Sequence, residues 1–282
     1  MARLRSKEIE MTSNTTPIVP RDFDADFSKV PRHWLFNNAT ATHIANGVNM
    51  LFPWGERFFV RSVKYYADQI TDPTLKAEIK GFFQQEGRHA AAHDDFNKVL
   101  RGQGYEVDQF LEQYKRISGW IESKSPPKLR LAITAASEHF TAIMAEGAFS
   151  DNMLDNAAPE MRDLLAWHAA EEIEHKSVAF DVLQQIDPSY ALRIAGLVCA
   201  TAILGGFWTW GALTLLRQDK VTLRTASRDL AREGKRDPII RRVFLRGIRQ
   251  YLRRDFHPDQ NDDRDLAKNW FAQRGMQMPE AA

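Results

Sequence analysis

Apolar residues recur at three- and four-residue intervals through most of this chain, while the strict alternation of a half-buried strand is nearly absent. That periodicity predicts long helices around 42–69, 73–101, 126–156 and 158–186. Helix punctuation falls between them. Asp72 before Pro73 reads as an N-cap followed by proline at the first helical position, and Gly102 and Gly104 suit a helix end. Asp187-Pro188 closes the fourth helix and opens another. Residues 105–122 form a long connection of partly helical character between the second and third helices.

Past the fourth helix the pattern changes. Residues 194–216, IAGLVCATAILGGFWTWGALTLL, hold no charge and are long enough to span a bilayer. Three arrangements are open to them: a spanning helix, an apolar helix packed on the bundle, or a membrane-inserted hairpin broken at Gly205-Gly206. Residues 238–254 then place Ile239, Ile240, Val243, Phe244, Ile248, Tyr251 and Leu252 on one helical face and arginines on the other. Interfacial anchors for anionic lipid have this composition, so the segment is expected to meet a membrane surface. Nucleic acid is the competing partner for the arginines, and the apolar face argues against it. The expected organisation is a flexible N-terminal tail over 1–30 and a helical bundle over 31–188. An apolar helix or hairpin with the basic amphipathic helix follows over 189–255, then a C-terminal tail over 256–282.

Composition narrows the class. With 282 residues, 44% hydrophobic and 27% charged, the chain is neither disordered throughout nor collagenous nor a disulfide scaffold. Its single cysteine, Cys199, forms no internal bridge, which fits a reducing compartment. The formal net charge of +1 hides an uneven distribution: residues 1–192 hold about six more acids than bases, and 217–254 about nine more bases than acids. Arg3, Arg5 and Lys7 have no apolar run behind them, so the opening stretch reads as a loose tail rather than a secretory signal. A cytoplasmic location at the inner face of the membrane is the expectation.

The chemistry lies in a short motif that occurs twice. Glu86 and His89 sit three apart on the second helix, and Glu172 and His175 three apart on the fourth. Residues at that spacing share a helix face, so each pair can present a carboxylate and an imidazole to one point. Glu56 on the first helix and Glu138 on the third complete a set of one, two, one and two ligands. Glu86 follows Glu56 by 30 residues and Glu172 follows Glu138 by 34, so each half can fold as a helix pair with its ligands at one height. This is the pattern of di-metal carboxylate bundles. The expected fold is therefore all-α: a ferritin-like four-helix bundle with a long crossover between helices 2 and 3 and additional C-terminal helices.

Solvated helix faces would explain the same charges less well. Phe82, Phe83, Phe96, Trp167 and Phe180 flank the two motifs, and buried charges without a cation or partner are costly. Glu56 lies among Pro53, Trp54, Phe58 and Phe59, and Glu138 follows Ala135-Ala136-Ser137, which leaves room for a bulky centre. His93, one turn past His89, reads as a partner that supports a ligand. Glu146, two turns past Glu138, is a second candidate for such a supporting role, with a plain surface carboxylate the alternative. Glu171 and Glu174 should face away from the metals, and His139 points elsewhere on its helix. Carboxylate and imidazole together suit two iron ions, with manganese or zinc fitting the same donors.

Phe58-Phe59, Gln85 to His89 with His93, and His168 to Lys176 resemble the predicted metal-dependent hydrolases, a bacterial family of the ferritin-like superfamily. The resemblance covers roughly residues 30–255 and implies a metal-binding helical bundle. A narrower resemblance is carried by His168-x-x-x-Glu172-x-x-His175, which is similar to di-iron arylamine N-oxygenases, where a third histidine joins the ligands. Carried over residue by residue, it implies Glu56, Glu86, His89, Glu138, His168, Glu172 and His175 as metal ligands.

The expected function is that of a non-haem di-iron oxygenase or oxidase acting on a hydrophobic aromatic or acyl molecule. Its cavity would be lined by Phe82, Phe140 and Phe149. An electron-donor protein is implied, because no flavin or nicotinamide fingerprint is present. A homodimer is a further expectation. The alternatives are a hydrolase using a water activated by two metals, and a non-catalytic metal-binding protein of the membrane surface.

Overall fold

Side-chain caps and prolines set most of the helix starts in the computed structural model, which describes residues 18–24, 26–150, 153–236 and 244–278. Asn38 caps α1 (Ala39–Asn49) by accepting from the Ala41 N–H, Asp72 caps α3 (Pro73–Gly102) through the Thr74 N–H, and Ser189 caps α8 (Tyr190–Gln218) through the Leu192 N–H. Proline opens α2 (Phe52–Lys64), α5 (Pro127–Ser150) and α6 (Pro159–His175). The remaining helices are α4 (Asp108–Lys124), α7 (Val178–Ile186), α9 (Leu223–Arg236), α10 (Arg246–Tyr251) and α11 (Arg264–Gln273). Among the described residues no strand forms, and the one β-bridge joins Leu35 to Ala157.

Two of the long helices expected from periodicity are broken. The 42–69 run divides into α1 and α2 at Met50-Leu51, where Pro53 has no N–H to give to the preceding turn. The 158–186 run divides into α6 and α7 at Lys176-Ser177. There the Lys176 ammonium is drawn to the Asn261 carbonyl at 2.8 Å and to Asp263. The 105–122 connection is mostly the helix α4.

The fold is an all-α bundle. Helix α2 packs on α3, α5 on α6 and α7, and the contacts α2 to α5 and α3 to α6 and α7 close the ring. Helix α4 carries the chain from the end of α3 to the start of α5. Two apolar clusters divide the interior along the helix axes. One holds Phe96, Leu100, Met161, Leu164 and Trp167; the other holds Ile79, Phe82, Leu131, Phe140, Val182 and Leu183. On α3 the sequence passes from Phe82 through Glu86 and His89 to Phe96, and α6 and α7 run from Trp167 through His175 to Val182. A polar belt therefore lies between two dry layers.

Helix α8 is unbroken through Gly205-Gly206, so of the three arrangements open to this stretch the hairpin does not form. Glycine costs a helix only about 1 kcal/mol relative to alanine, which is little for a helix of 29 residues packed along α5 and α1. The approach is close. A Cβ on Gly196 would lie 2.4 Å from the Ala132 carbonyl oxygen, and one on Gly47 would lie 2.9 Å from the Trp208 oxygen. By length and composition α8 could also cross a membrane, with 28% of its most apolar window buried and Val198 exposed on its outer side. Its C-terminal end is fixed by Asp219. That carboxylate accepts from His33 Nε2 and His43 Nε2 at 2.7 Å, from the Tyr105 hydroxyl at 2.8 Å and from Arg32 Nη2 at 2.6 Å. Burial would raise the Asp219 carboxyl, but these four donors outweigh it and hold it below the usual carboxylate range.

The basic 238–254 helix lies in part outside the described residues, as do its Ile239, Ile240 and Val243. Of the rest of its apolar face, Tyr251 is fully buried and Phe244 and Ile248 lie against the core, whereas Leu252 is exposed. Two further expectations are corrected. Residues 18–24 and 26–30, expected in the loose tail, belong to the packed body, with Val30 and Arg21 inside and Ile18 against Gly81. Residues 256–278 likewise belong to the body, because α11 packs on α6 and buries Phe271.

The Gly196 contact makes a paired prediction. Gly196→Val should lower stability by about 1–3 kcal/mol through overpacking. Gly205→Ala, where a Cβ meets nothing within 4 Å, should be neutral or stabilising by up to about 1 kcal/mol. Thermal melts of the two variants check this.

Candidate metal centre

Four helices aim acidic and imidazole groups into the polar belt: Glu56 from α2, Glu86 and His89 from α3, Glu138 from α5, and His168, Glu172 and His175 from α6. All seven are buried. Their donor atoms converge in overlapping groups. Glu56, Glu86 and His89 bring theirs within 4.8 Å of one another, as do Glu86, Glu138 and His175, and His89, His168 and Glu172. Glu86 belongs to two of these groups. Glu172 turns Oε1 toward His168, at 2.8 Å, and Oε2 toward His175, at 3.5 Å. The cluster thus has two halves with Glu86 and Glu172 between them.

The residues suit cations, and the measure of that is what the ligand atoms lack. Both carboxylate oxygens of Glu56, Glu86 and Glu138, together with His89 Nδ1 and His175 Nε2, are buried without a hydrogen-bond partner. Such orphaned groups are rare and costly. His175 Nε2 lies 3.2 Å from Glu86 Oε1 and 3.4 Å from Glu138 Oε2, and His89 Nδ1 lies 3.6 Å from Glu86 Oε1. Donors arranged around one ion at bonds of about 2.1 Å are separated by about 3.4 Å. Another set, His33, His43 and Asp219, also brings its donors within 4.8 Å, but there the carboxylate is already filled by hydrogen bonds.

Without cations, protons must balance the carboxylates. Burial, followed by the charges of Glu86 and Glu172, pushes Glu138 up to about 8. Burial and then Glu86 push Glu56 well above its ordinary value. Burial opposes charge on His89, yet its bond to Glu171 and the nearby Glu86 carboxylate raise it to about 10, and His175 is raised well above its ordinary value by the nearby Glu172, Glu138 and Glu86. Desolvation instead lowers His168 and His93.

A second layer fixes which nitrogen each histidine offers. His89 Nε2 meets Glu171 Oε2 at 2.9 Å, which leaves Nδ1 for the cluster. His175 Nδ1 donates to Gln85 Oε1 at 2.8 Å, which leaves Nε2. Gln85 Nε2 in turn donates to Glu174 Oε2 at 2.5 Å. Arg21 joins the two supports: its guanidinium donates to Glu174 at 2.8 and 3.1 Å and to Glu171 at 3.4 Å, and its backbone N–H donates to Glu171 at 3.0 Å. On the far half, His93 Nδ1 donates to Asn49 Oδ1 at 2.5 Å, and His93 Nε2 then accepts from His168 Nδ1 at 2.7 Å. His168 Nε2 is thereby turned toward Glu172 Oε1, at a hydrogen-bonding 2.8 Å, and toward Glu56 Oε1, at 3.6 Å.

All seven candidate ligands are thus brought together, and His93 is hydrogen-bonded to His168, with its ring also within reach of a donor group formed with Glu56 and His168. Glu146 does not reach the cluster. It pairs with Arg246 at 3.0 Å, because two turns along α5 carry it past the belt to the side where α10 packs. Glu171 and Glu174 do face away from the ion space, but they are buried supports rather than surface charges. Arg21, Gln85, Asn49 and Thr141, whose hydroxyl donates to Glu172, were not visible as site residues in the sequence. Three glutamates packed within 171–174 did signal a need for buried counter-charge, though not its source. The expected cavity lining is also corrected: Phe82 and Phe140 are core residues and Phe149 packs against the other apolar cluster. The cavity beside the centre is walled instead by Phe52, Phe58, Phe59 and Phe207, with Glu56 and Thr141 at its inner end.

A family model described as predicted metal-dependent hydrolase matches residues 19–262. No curated protein and no solved structure matches the chain.

Removing the clamp should loosen the centre. Arg21→Ala is expected to weaken divalent-metal affinity by about 10–100-fold while most of the helix content remains, as read by competition with a chromophoric chelator. Metal uptake should also release protons. At pH 7 Glu138 and His89 hold protons in the metal-free protein, so loading displaces them; the share from Glu138 disappears as pH rises through about 8 and that from His89 through about 10. Indicator-dye titrations across this range measure both, and apparent affinity should rise with pH over the same window.

Proposed function

From its membership of the predicted metal-dependent hydrolase family, to which the match over residues 19–262 assigns the chain, and from its buried donor set, we propose that this protein is a hydrolase working with two divalent metal ions. The observation that carries the reading is the orphaned state of the Glu56, Glu86, Glu138, His89 and His175 ligand atoms. Glu56, Glu86, His89, His168 and Glu172 would hold one ion, and Glu86, Glu138, Glu172 and His175 the other. Bound there, the ions supply Lewis acidity and acidify water near neutral pH. The chain supplies the rest. Glu56 both faces the cluster and lines the cavity, so it is the ligand that a substrate in the cavity would meet. Thr141 donates to Glu172 Oε2 and holds that carboxylate in place from the cavity side. The aromatic wall keeps bulk water from the reacting atoms.

A second reading has an observation of its own. The cavity wall is almost wholly apolar and brings no cationic side chain to stabilise a developing oxyanion. That favours oxidation of an apolar molecule by dioxygen at two irons, in a ferritin-like bundle fed by an electron-donor protein. In either case the exposed apolar side of α8 is the surface we assign to contact with the cytoplasmic face of a membrane.

Metal analysis and gas dependence separate the readings. The hydrolase reading expects ester or amide cleavage that is equal under nitrogen and air, is lost on chelation and returns with zinc or manganese. Turnover only in air, with ferrous loading and oxygen uptake, would move the assignment to the second reading. Glu86→Ala and Glu172→Ala should each lose two-metal occupancy with little change in helix content by circular dichroism. Two metals per chain in both variants would sink the ligand assignment itself.

A further inference from the structure

Helix α8 turns an uncharged side outward. Ala191, Ala195, Val198, Ala202, Gly205 and Thr209 follow one another at three- and four-residue steps and are all exposed, so they share one side of the helix. Contacts fix the two borders of that side. Along one border residues 244–254 run antiparallel to α8. The Phe244 ring lies 5.8 Å from Trp208, the Tyr190 hydroxyl donates to the Leu252 carbonyl at 2.8 Å, and the Arg254 guanidinium sits 4.4 Å from the centre of the Tyr190 ring. Along the other border runs α4, with Phe110 5.3 Å from Trp210 and Tyr114 4.7 Å from Phe207.

Both borders hold large apolar groups and bases toward solvent. Leu245 is 60% exposed and Leu252 44%; they are seven residues apart and so on one side of their helix, with Arg249 exposed between them. On α4, Lys115 and Glu122 turn to α2 through Trp54 and Arg61. Trp120, 63% exposed, leaves α4 on the other side, between the exposed Arg116 and Lys124. The nearby acids are answered locally: Glu146 by Arg246, Asp255 by Arg253 and Asp108 by Arg101, while Glu112 stands two turns before Trp120. An apolar strip edged by guanidinium and ammonium groups complements a hydrocarbon layer edged by phosphates.

The position of the bases sets the orientation. Arg249 falls between Phe244, beside Trp208, and Leu252, beside Tyr190, so it lies along the middle of α8 and not at an end. Were α8 to cross a bilayer, that charge would sit in the hydrocarbon at high cost. The inner flank of α8 is also committed to the body, by the Gly196 contact with Ala132 and by Arg193, which donates to the carbonyls of Arg253 and Phe256. Resting on the membrane contact assigned to α8 above, we propose that α8 lies flat in the surface of an anionic phospholipid bilayer. Val198, Leu245, Leu252 and Trp120 enter the upper acyl layer, and Arg249, Arg116 and Lys124 meet the phosphates.

Flotation of the zinc-loaded full chain with vesicles tests this. Vesicles holding about a third phosphatidylglycerol should bind at least about tenfold more tightly than pure phosphatidylcholine at low salt, and the excess should vanish in about 1 M salt. Alkaline carbonate should release the bound protein, whereas a crossing helix would stay. Val198→Asp and Arg249→Glu, both at exposed positions, should each weaken binding to the anionic vesicles at least about fivefold, with metal content and helicity unchanged. Trp120→Ala, also exposed, should weaken it in the same direction and keeps the test decisive if either of the others fails to fold. Equal affinity for the two vesicles, retention through carbonate, or unmoved binding by the folded variants would overturn the in-plane arrangement and leave the membrane contact standing. No binding to either vesicle would overturn both. A native dimer that Val198→Asp splits, with no vesicle bound, would overturn both as well and give this side of α8 to a second copy of the chain.

Discussion

Four carboxylates share a space that water does not reach, and the rest of the molecule is arranged around that conflict. Glu56, Glu86, Glu138 and Glu172 each lose hydration on folding, and each sits within the field of the others. Protons on Glu56, Glu138, His89 and His175 relieve the repulsion in one state, and cations would relieve it in another. Apolar layers above and below the belt raise the cost of leaving it unrelieved. They also leave both carboxylate oxygens of Glu56, Glu86 and Glu138 without a hydrogen-bond donor among the described residues.

The inner ring of this arrangement was legible in the sequence, and the outer ring was not. A repeated Glu-x-x-His on two helices, with one further glutamate from each of two others, follows from helical periodicity alone, because residues three apart must share a face. The supports obey no such local rule. Arg21 lies in a segment without periodicity, and its two glutamate partners are 150 and 153 positions away along the chain. Gln85 looks like any polar residue beside Glu86. Glu146 failed for the opposite reason: spacing along α5 was right for a shared face but said nothing of how far the belt extends. Helix identity was readable, and helix continuity less so, since Pro53 and the turn at Lys176 each interrupt an apolar pattern that runs on past them.

Helix α8 shows how one composition serves two physical ends. Its glycines let α5 and α1 approach to backbone contact, as at Gly196 and Ala132, while its uncharged aliphatic residues supply the hydropathy that marks a membrane span. Ile203, Leu204 and Phe207 line the cavity from this helix, while Val198 stands on its outer side. A helix that walls the reaction space on one flank and is apolar on the other joins the centre to whatever medium lies outside.

Arg21 also donates to the carbonyl of Gln277, so the support behind His89 and His175 draws on positions more than 250 residues apart. During synthesis, an ion arriving early would find the right carboxylates but imidazoles free to swivel. A chain cut before Gln277 would keep the ligands and the Arg21 pairs with Glu171 and Glu174 but lose this outer hold on the guanidinium.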